Sequence, residues 1–205
     1  VTYTNARGIA FYQAAGGTYY YSNGSDGPAG TSPYTSAQVD NRPPTADIVA
    51  LQYAGTQSLV FSQAIANPVF AFVSLNGNGY GFDQDFDILS FGGADGNACG
   101  YWGCGTSYKN IVTVNGKTEY QLLGTGEPHG TLRFTGTFDT VSWRSLSNEN
   151  WNGFTVGVQE TAVAFCTANP TAPECSPVSA VPEPASMALM GLGLAGLAAV
   201  RRRKA

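Results

Sequence analysis

Short runs of β-forming residues, separated by turns rich in glycine and asparagine, are the feature that most restricts how this chain can fold. Runs such as Asp47–Tyr53 and Ser58–Ser62 alternate with turns such as Asn115-Gly116, a dipeptide typical of type I′ hairpins. No long segment has the period of an amphipathic helix. About ten short strands at intervals of about 8–15 residues predict an all-β fold, a two-sheet antiparallel sandwich of jelly-roll character.

Individual runs also predict where strands lie within the sheets. The segment Val69-Phe-Ala-Phe-Val73 is apolar on both faces, which predicts a central strand buried from both sides. We further predict strands at Thr18–Ser22, Tyr80–Phe91 and Phe154–Phe165, where β-forming residues continue without a turn signal.

Composition and charge exclude one class of partner. The 205-residue chain is 43% hydrophobic, which is enough for a core, and only 12% charged. Up to residue 180 it has 13 acidic and 6 basic residues. We expect no nucleic-acid partner, because no cationic run could follow a phosphate backbone. An acidic surface can instead hold divalent cations or keep the domain soluble.

The four cysteines predict disulfides. An even number at short spacings is typical of disulfides in secreted domains, and four cysteines allow three connectivities. The local pairing of Cys99 with Cys104 and of Cys166 with Cys175 is favoured, since each pair closes a small loop containing glycine or proline. The alternative, a zinc site, lacks the Cys-x₂-Cys spacing and has a single histidine to draw on.

The C-terminal residues have three parts in a fixed order. Val181-Pro-Glu-Pro184 precedes the uncharged stretch Ala185–Val200, which is followed by Arg201, Arg202, Arg203 and Lys204. The stretch predicts a single C-terminal hydrophobic helix about 24 Å long, slightly shorter than a bilayer core of about 30 Å. The terminal cations would lie in the cytoplasm. A simple tail anchor is the alternative interpretation of this hydropathy.

Taken together, the three parts resemble the PEP-CTERM sorting signal of Gram-negative bacteria. The resemblance implies an exosortase as partner, cleavage near Pro182, Glu183 and Pro184, and delivery to the cell surface or extracellular matrix. Before processing, the helix would hold the protein in the inner membrane. The resemblance also implies exopolysaccharide-producing, biofilm-forming bacteria. Since the chain begins at Val1 without an apolar leader, we expect an export signal to have been removed.

This organisation predicts three segments. Residues 1–165 form the β-sandwich ectodomain. Residues 166–181, rich in proline, threonine and serine, form a semi-extended linker. Residues 182–205 form the sorting signal, with its motif, its transmembrane helix and its arginine-rich end.

The densest polar cluster is Asp83-Gln-Asp-Phe-Asp87. On an extended strand, Asp83, Asp85 and Asp87 would project from one face with Cβ atoms about 7 Å apart. Several hard oxygen ligands so close together predict a Ca²⁺ site, and Ca²⁺ is the one cofactor predicted. Two alternatives stay open. The acids could simply face solvent, or Asp83 and Asp87 could be the carboxylate pair of a polysaccharide hydrolase.

Other segments carry side chains suited to contact a glycan. Gly100-Tyr-Trp-Gly-Cys104 would present Tyr101 and Trp102 on a disulfide-closed loop, where aromatic rings can stack on sugars. Trp151 lies among asparagines, and His129 is the single histidine of the chain. Each has a structural alternative, namely aromatic rings that close the end of the sandwich and a hydrogen-bonded core histidine.

Segments within residues 45–160 also resemble uncharacterised PEP-CTERM β-sandwich ectodomains. They include Gly100-Tyr-Trp-Gly103, His129-Gly-Thr-Leu-Arg-Phe134 and Trp151-Asn-Gly-Phe-Thr-Val-Gly157. This resemblance implies fold and location but no activity. We therefore predict a non-enzymatic surface or matrix protein that associates with exopolysaccharide. A self-assembling surface protein, using strand edges or Tyr19–Tyr21, is the alternative, and a polysaccharide hydrolase is the third hypothesis.

Overall fold

The structure is a computed structural model that describes residues 1–22, 32–40, 42–91 and 99–175, and it consists mostly of β-strands. The strands are β1 (Thr2–Asn5), β2 (Phe11–Gln13), β3 (Ile48–Leu51), β4 (Gly55–Ala66), β5 (Val69–Val73), β6 (Tyr80–Phe82), β7 (Asp87–Phe91), β8 (Gly105–Val114), β9 (Lys117–Gly126), β10 (Gly130–Arg133), β11 (Thr137–Ser145), β12 (Asn152–Gly157) and β13 (Glu160–Thr161). One α-helix, α1 (Ala162–Ala168), and a 3₁₀ turn, Pro173–Cys175, follow them.

The strands form two antiparallel sheets, which confirms the predicted two-sheet sandwich. The first sheet has the order β1-β4-β11-β6-β9-β8, with β13 paired to β4. The second has the order β2-β3-β12-β5-β10-β7. Most spatial neighbours are distant in sequence, so the chain passes repeatedly between the two sheets.

The core lies between the sheets and is dominated by aromatic rings. Alternation along β4 shows how it is built, because Leu59 and Phe61 are buried while Val60 between them is exposed. The largest buried side chains of this core are Phe70, Phe72, Tyr80, Phe82, Phe86, Phe134, Trp143 and Phe154. Phe70 and Phe154 stack face to face on neighbouring strands with ring centroids 4.8 Å apart.

Two local predictions are confirmed. The apolar segment Val69–Val73 is β5, which lies between β10 and β12 and is buried on both faces. Asn115 and Gly116 connect β8 to β9 with φ values of 51° and 77°. Positive φ at both central residues is the geometry of a type I′ hairpin.

Two predicted strands are wrong in part, and a third is wrong throughout. The run Tyr80–Phe91 is two strands, because the chain leaves the first sheet after Phe82 and joins the second at Asp87. The run Thr18–Ser22 is not a strand and instead covers the outer face of the second sheet. The run Phe154–Phe165 is not a single strand, because β12 ends at Gly157 and α1 begins at Ala162. The helix begins there because the side chain of Thr161 caps it by accepting a hydrogen bond from the amide of Ala164.

The outer face of the second sheet is covered rather than open to water. Residues 19–22, 32–40 and 42–45, which we call the cover segment, bring Tyr21 and Tyr34 onto Ile48, Ala71 and Val73. Both tyrosines are fully buried, and their rings meet edge to face with centroids 5.3 Å apart. The second sheet therefore separates the main core from a smaller outer core.

The end of the described chain is fastened by the second disulfide. Cys166 on α1 pairs with Cys175 at the 3₁₀ turn, and Cys99 pairs with Cys104, as the local pairing predicts. The predicted hydrophobic helix and the sorting residues Pro182, Glu183, Pro184 and Arg201–Arg203 lie outside the described residues. Within the described part of the chain, no helix has the length and apolar character needed to cross a bilayer.

Candidate functional site

The loop closed by the Cys99–Cys104 disulfide presents two aromatic side chains at the surface. The two cysteines form an isolated antiparallel bridge, and the amide of Gly100 donates to the carbonyl of Gly103 over 2.8 Å. Tyr101 is 38% exposed and Trp102 is 51% exposed. The loop is therefore constrained at its base while its two rings face outward.

These two rings belong to a larger aromatic patch, composed of Phe11, Tyr20, Tyr101, Trp102 and Trp151. Tyr20 lies at its centre, with its ring centroid 5.1 Å from those of Tyr101 and Trp151 and 6.2 Å from that of Trp102. Trp102 and Trp151 are 6.0 Å apart, and Phe11 lies 5.1 Å from Trp151. Tyr101, Trp102 and Trp151, three of the predicted glycan-binding residues, thus meet in one place, although they come from two separate loops.

The fourth predicted residue, His129, lies beneath the loop rather than within the patch. It is 1% exposed, and its Nδ1 donates to the backbone carbonyl of Glu127 over 2.7 Å. A Cβ on Gly100 would come within 2.8 Å of the imidazole, so the loop rests directly on the ring. Burial lowers the pKa of His129, which keeps the ring neutral. The histidine supports the loop from below.

A polar network near the loop contains a carboxyl group that the sequence did not single out. Glu149 accepts a hydrogen bond from the side-chain amide of Asn152 over 2.8 Å, and Asn152 in turn accepts from the hydroxyl of Tyr80. Desolvation raises the pKa of Glu149 to about 8, and the charge of Glu127 acts in the same direction. Burial therefore favours the protonated form of Glu149, which no sequence pattern at Asn148–Asn152 indicates.

The three aspartates of the predicted Ca²⁺ site have separate surroundings. Asp85 pairs with Lys109 at 2.8 Å. Asp87, at the start of β7, contacts Arg133 at 3.5 Å. Partial desolvation raises the pKa of Asp83, although its side chain is exposed at the surface. Across the residues that the structure describes, no group of three or more His, Cys, Asp or Glu side chains could hold a metal ion.

Two depressions lie away from the aromatic patch. A shallow groove of about 420 Å³ on the first sheet is lined by Asp83, Lys117, Glu119 and Arg144. A larger cleft of about 600 Å³ lies over the outer face of the second sheet, between the cover segment and α1. The hydrolase hypothesis requires Asp83 and Asp87 as a pair. Asp83 directly follows β6 of the first sheet, whereas Asp87 is the first residue of β7 in the second sheet.

Comparison with known proteins identifies the C-terminal residues. Residues 180–204 match the family described as the PEP-CTERM protein-sorting motif. No protein of curated function and no solved structure matches the chain. The match includes Pro182, Glu183 and Pro184 and the arginines from Arg201 to Arg203. The chain therefore carries a PEP-CTERM sorting signal, and this signal implies export and exosortase-mediated localisation at the cell surface or in the extracellular space.

Proposed function

We propose that the exported β-sandwich is a non-catalytic module that binds exopolysaccharide through the aromatic patch. The observation that carries this proposal is the meeting of Tyr101, Trp102 and Trp151 around Tyr20 at a partly exposed surface. The C–H faces of a sugar ring stack well on such rings, and the interaction needs no buried charge. A surface location after export would place the patch among the glycans of the cell envelope.

The rigidity of the patch supports binding. The disulfide holds the loop that carries Tyr101 and Trp102, and His129 fills the space under Gly100. Each ring is further held by edge-to-face contacts with its neighbours. Little side-chain freedom remains to be lost when a ligand binds, and such preorganisation raises affinity.

The test is a co-sedimentation titration of the full chain, in a mild detergent, against exopolysaccharide from the producing organism. We expect Trp102→Ala to weaken binding by about tenfold, equivalent to about 1.4 kcal/mol. The matched control is Tyr108→Ala on β8, because Tyr108 is 48% exposed and lies outside the patch. Equal affinity of the Trp102→Ala variant and the wild-type protein would rule out the patch as the binding site.

The same titration tests the calcium hypothesis. Lys109 already pairs with Asp85, and Arg133 already contacts Asp87. Asp85 therefore has a close cation of its own, and Asp87 has a more distant one. We expect the same affinity in Ca²⁺ and in EDTA, and loss of binding in EDTA would restore Asp83, Asp85 and Asp87 as ligands.

A second candidate function, self-assembly, is favoured by the edge strand β8. It has 10 residues and is the last strand of the first sheet, paired with β9. Tyr108 and Ile111 on it are 48% and 58% exposed. Long, apolar edge strands are templates for pairing with another chain. Sedimentation velocity over a concentration series would detect such assembly, and Ile111→Lys should abolish it.

A further inference from the structure

The larger cleft, which we call the outer cleft, has a size suited to a small ligand. Its volume of about 600 Å³ falls within the range of about 300–1,000 Å³ typical of ligand pockets. Strands of the second sheet form its floor. Residues 38–40 and 42–45 of the cover segment, together with Phe165 of α1, form its walls. It shares no lining residue with the aromatic patch.

Small side chains on three neighbouring strands create the cleft. In the registers of the sheet, Thr131 on β10 and Thr155 on β12 both lie beside Ala71 on β5. In the next row, Arg133 and Gly157 both lie beside Val69. Because Gly157 has no side chain and its neighbours are short, the cover segment cannot fill the space above these rows. Arg133 is the one long side chain in these two rows.

Arg133 has hydrogen-bonding capacity that its present contacts do not use. Its contact with Asp87 is a single one of 3.5 Å between partly exposed groups, which contributes little in water. Its Nε is buried and has no hydrogen-bond partner among the described residues. A guanidinium can bind a carboxylate through two parallel N–H groups, a stronger arrangement than a single long contact.

The walls of the cleft add groups of both charges. Arg42 lies over the ring of Tyr19, with its Cζ 5.3 Å from the ring centroid, and brings a second guanidinium to the lining. Asp40 and Asp47 also line the cleft, and Asp47 accepts from the amide of Ala15 over 2.9 Å. A simple anion such as phosphate needs donors only, and two carboxylates would repel it. A ligand with one carboxylate and several hydroxyls suits this lining better.

We propose that the outer cleft binds a carboxylate-bearing sugar residue, with the sugar carboxylate on the guanidinium of Arg133. The hydroxyls of the sugar would donate to the acidic groups of the wall and exchange hydrogen bonds with Thr155 on the floor. This site is independent of the aromatic patch, and it gives the protein a preference for acidic polysaccharides. The proposal does not depend on the patch binding any sugar.

The test is calorimetric titration of the full chain, in mild detergent, with a short oligogalacturonide. We expect saturable binding with Kd of about 0.1–1 mM. The same oligosaccharide with its carboxyl groups reduced to alcohols should bind at least about tenfold more weakly, and so should inorganic phosphate. Absence of saturable binding, or equal binding of phosphate, would overturn the proposal.

Variants locate the site. Arg133→Gln should weaken binding by about tenfold or more, whereas Asp87→Asn, which removes the same ion pair but keeps the guanidinium, should leave affinity equal or higher. Gly157→Val should abolish binding by filling the floor, and the fold should tolerate it because a Cβ at Gly157 meets only Val69 at ordinary distance. Wild-type affinity in either Arg133→Gln or Gly157→Val would refute the assignment. Trp102→Ala should bind the oligogalacturonide normally, and its failure to do so would move that ligand to the aromatic patch.

Discussion

Replacing Glu149 with glutamine should change how the stability of the protein depends on pH. Desolvation raises the pKa of this carboxyl from 4.5 to about 8 in the folded protein. The folded state therefore holds a proton that the unfolded state releases, and the resulting stability is complete below about pH 4.5 and is lost as pH rises to about 8. A pKa raised this far corresponds at most to about 5 kcal/mol. Since the side chain is only half-buried, solvent screening reduces the effect to about 1–2 kcal/mol.

Urea unfolding followed by tryptophan fluorescence, from about pH 5 to about pH 9, measures this effect. Glu149→Gln keeps an oxygen that can accept from Asn152 but does not titrate. We expect the free energy of unfolding of the wild-type protein to fall by about 1–2 kcal/mol relative to the variant over this range. His129 contributes in the opposite direction, since its lowered pKa costs stability as pH falls below about 6.5, but it does so equally in both proteins.

An exposed acid provides the control. Asp139→Asn makes the same change from acid to amide at an exposed position on β11, away from the polar network. Parallel stability curves for the wild-type protein and Glu149→Gln would show that Glu149 ionises in the folded protein as it does in the unfolded chain. That result would refute the account of the polar network given above.

Three further predictions concern the core, a tight strand contact and processing. Phe70→Ala should lower the free energy of unfolding by about 3–5 kcal/mol in urea titrations, because the ring is fully buried and stacked on Phe154. Gly130→Ala should cost about 2–4 kcal/mol in the same assay, since Gly130 has φ of 149° and a Cβ there would overlap the carbonyl of Ser90. Glu183→Ala should leave an uncleaved, membrane-bound form in an exosortase-containing host, detected by mass and cell fractionation; normal processing would contradict a role for the motif.

Strands and turns could be predicted from the sequence where a few neighbouring residues were enough to specify them. Val69–Val73 has no polar side chain, and four of its five residues are buried. Asn115 and Gly116 accept positive φ at low cost, so their turn is specified locally. The fold class and both disulfides follow from features of this kind, which depend on near neighbours in the sequence.

The point at which the chain passes from one sheet to the other could not be predicted from the alternation of apolar and polar residues. Apolar residues recur at even-numbered positions at Tyr80, Phe82, Phe86 and Ile88. Phe86 keeps this pattern because it is buried where the chain crosses between the sheets, as a residue of a strand would be. The sequence therefore shows one long strand where the chain changes sheets. Asp83 and Asp87 are separated by that crossing, which is why their predicted common face does not form.

The aromatic patch could be predicted in its parts but not as a whole. Tyr101, Trp102 and Trp151 stand out in the sequence because they lie in loops among small or polar residues. Their meeting depends on Tyr20, which sequence pattern assigns to a strand and which contacts all three rings. Contacts among three distant loops are decided by the packing of the cover segment and have no local signal.

Both candidate binding sites have one structural origin, which is the partial covering of the second sheet. Tyr21 and Tyr34 seal the middle of its outer face. Beyond Tyr21, the neighbouring Tyr20 gathers the exposed rings of the aromatic patch. Beyond Tyr34, the small floor residues leave the outer cleft unfilled. Burying an outer sheet face requires ordered residues, and the same covering leaves two different surfaces on one sheet, which we have proposed as separate sites for apolar sugar faces and for acidic sugars.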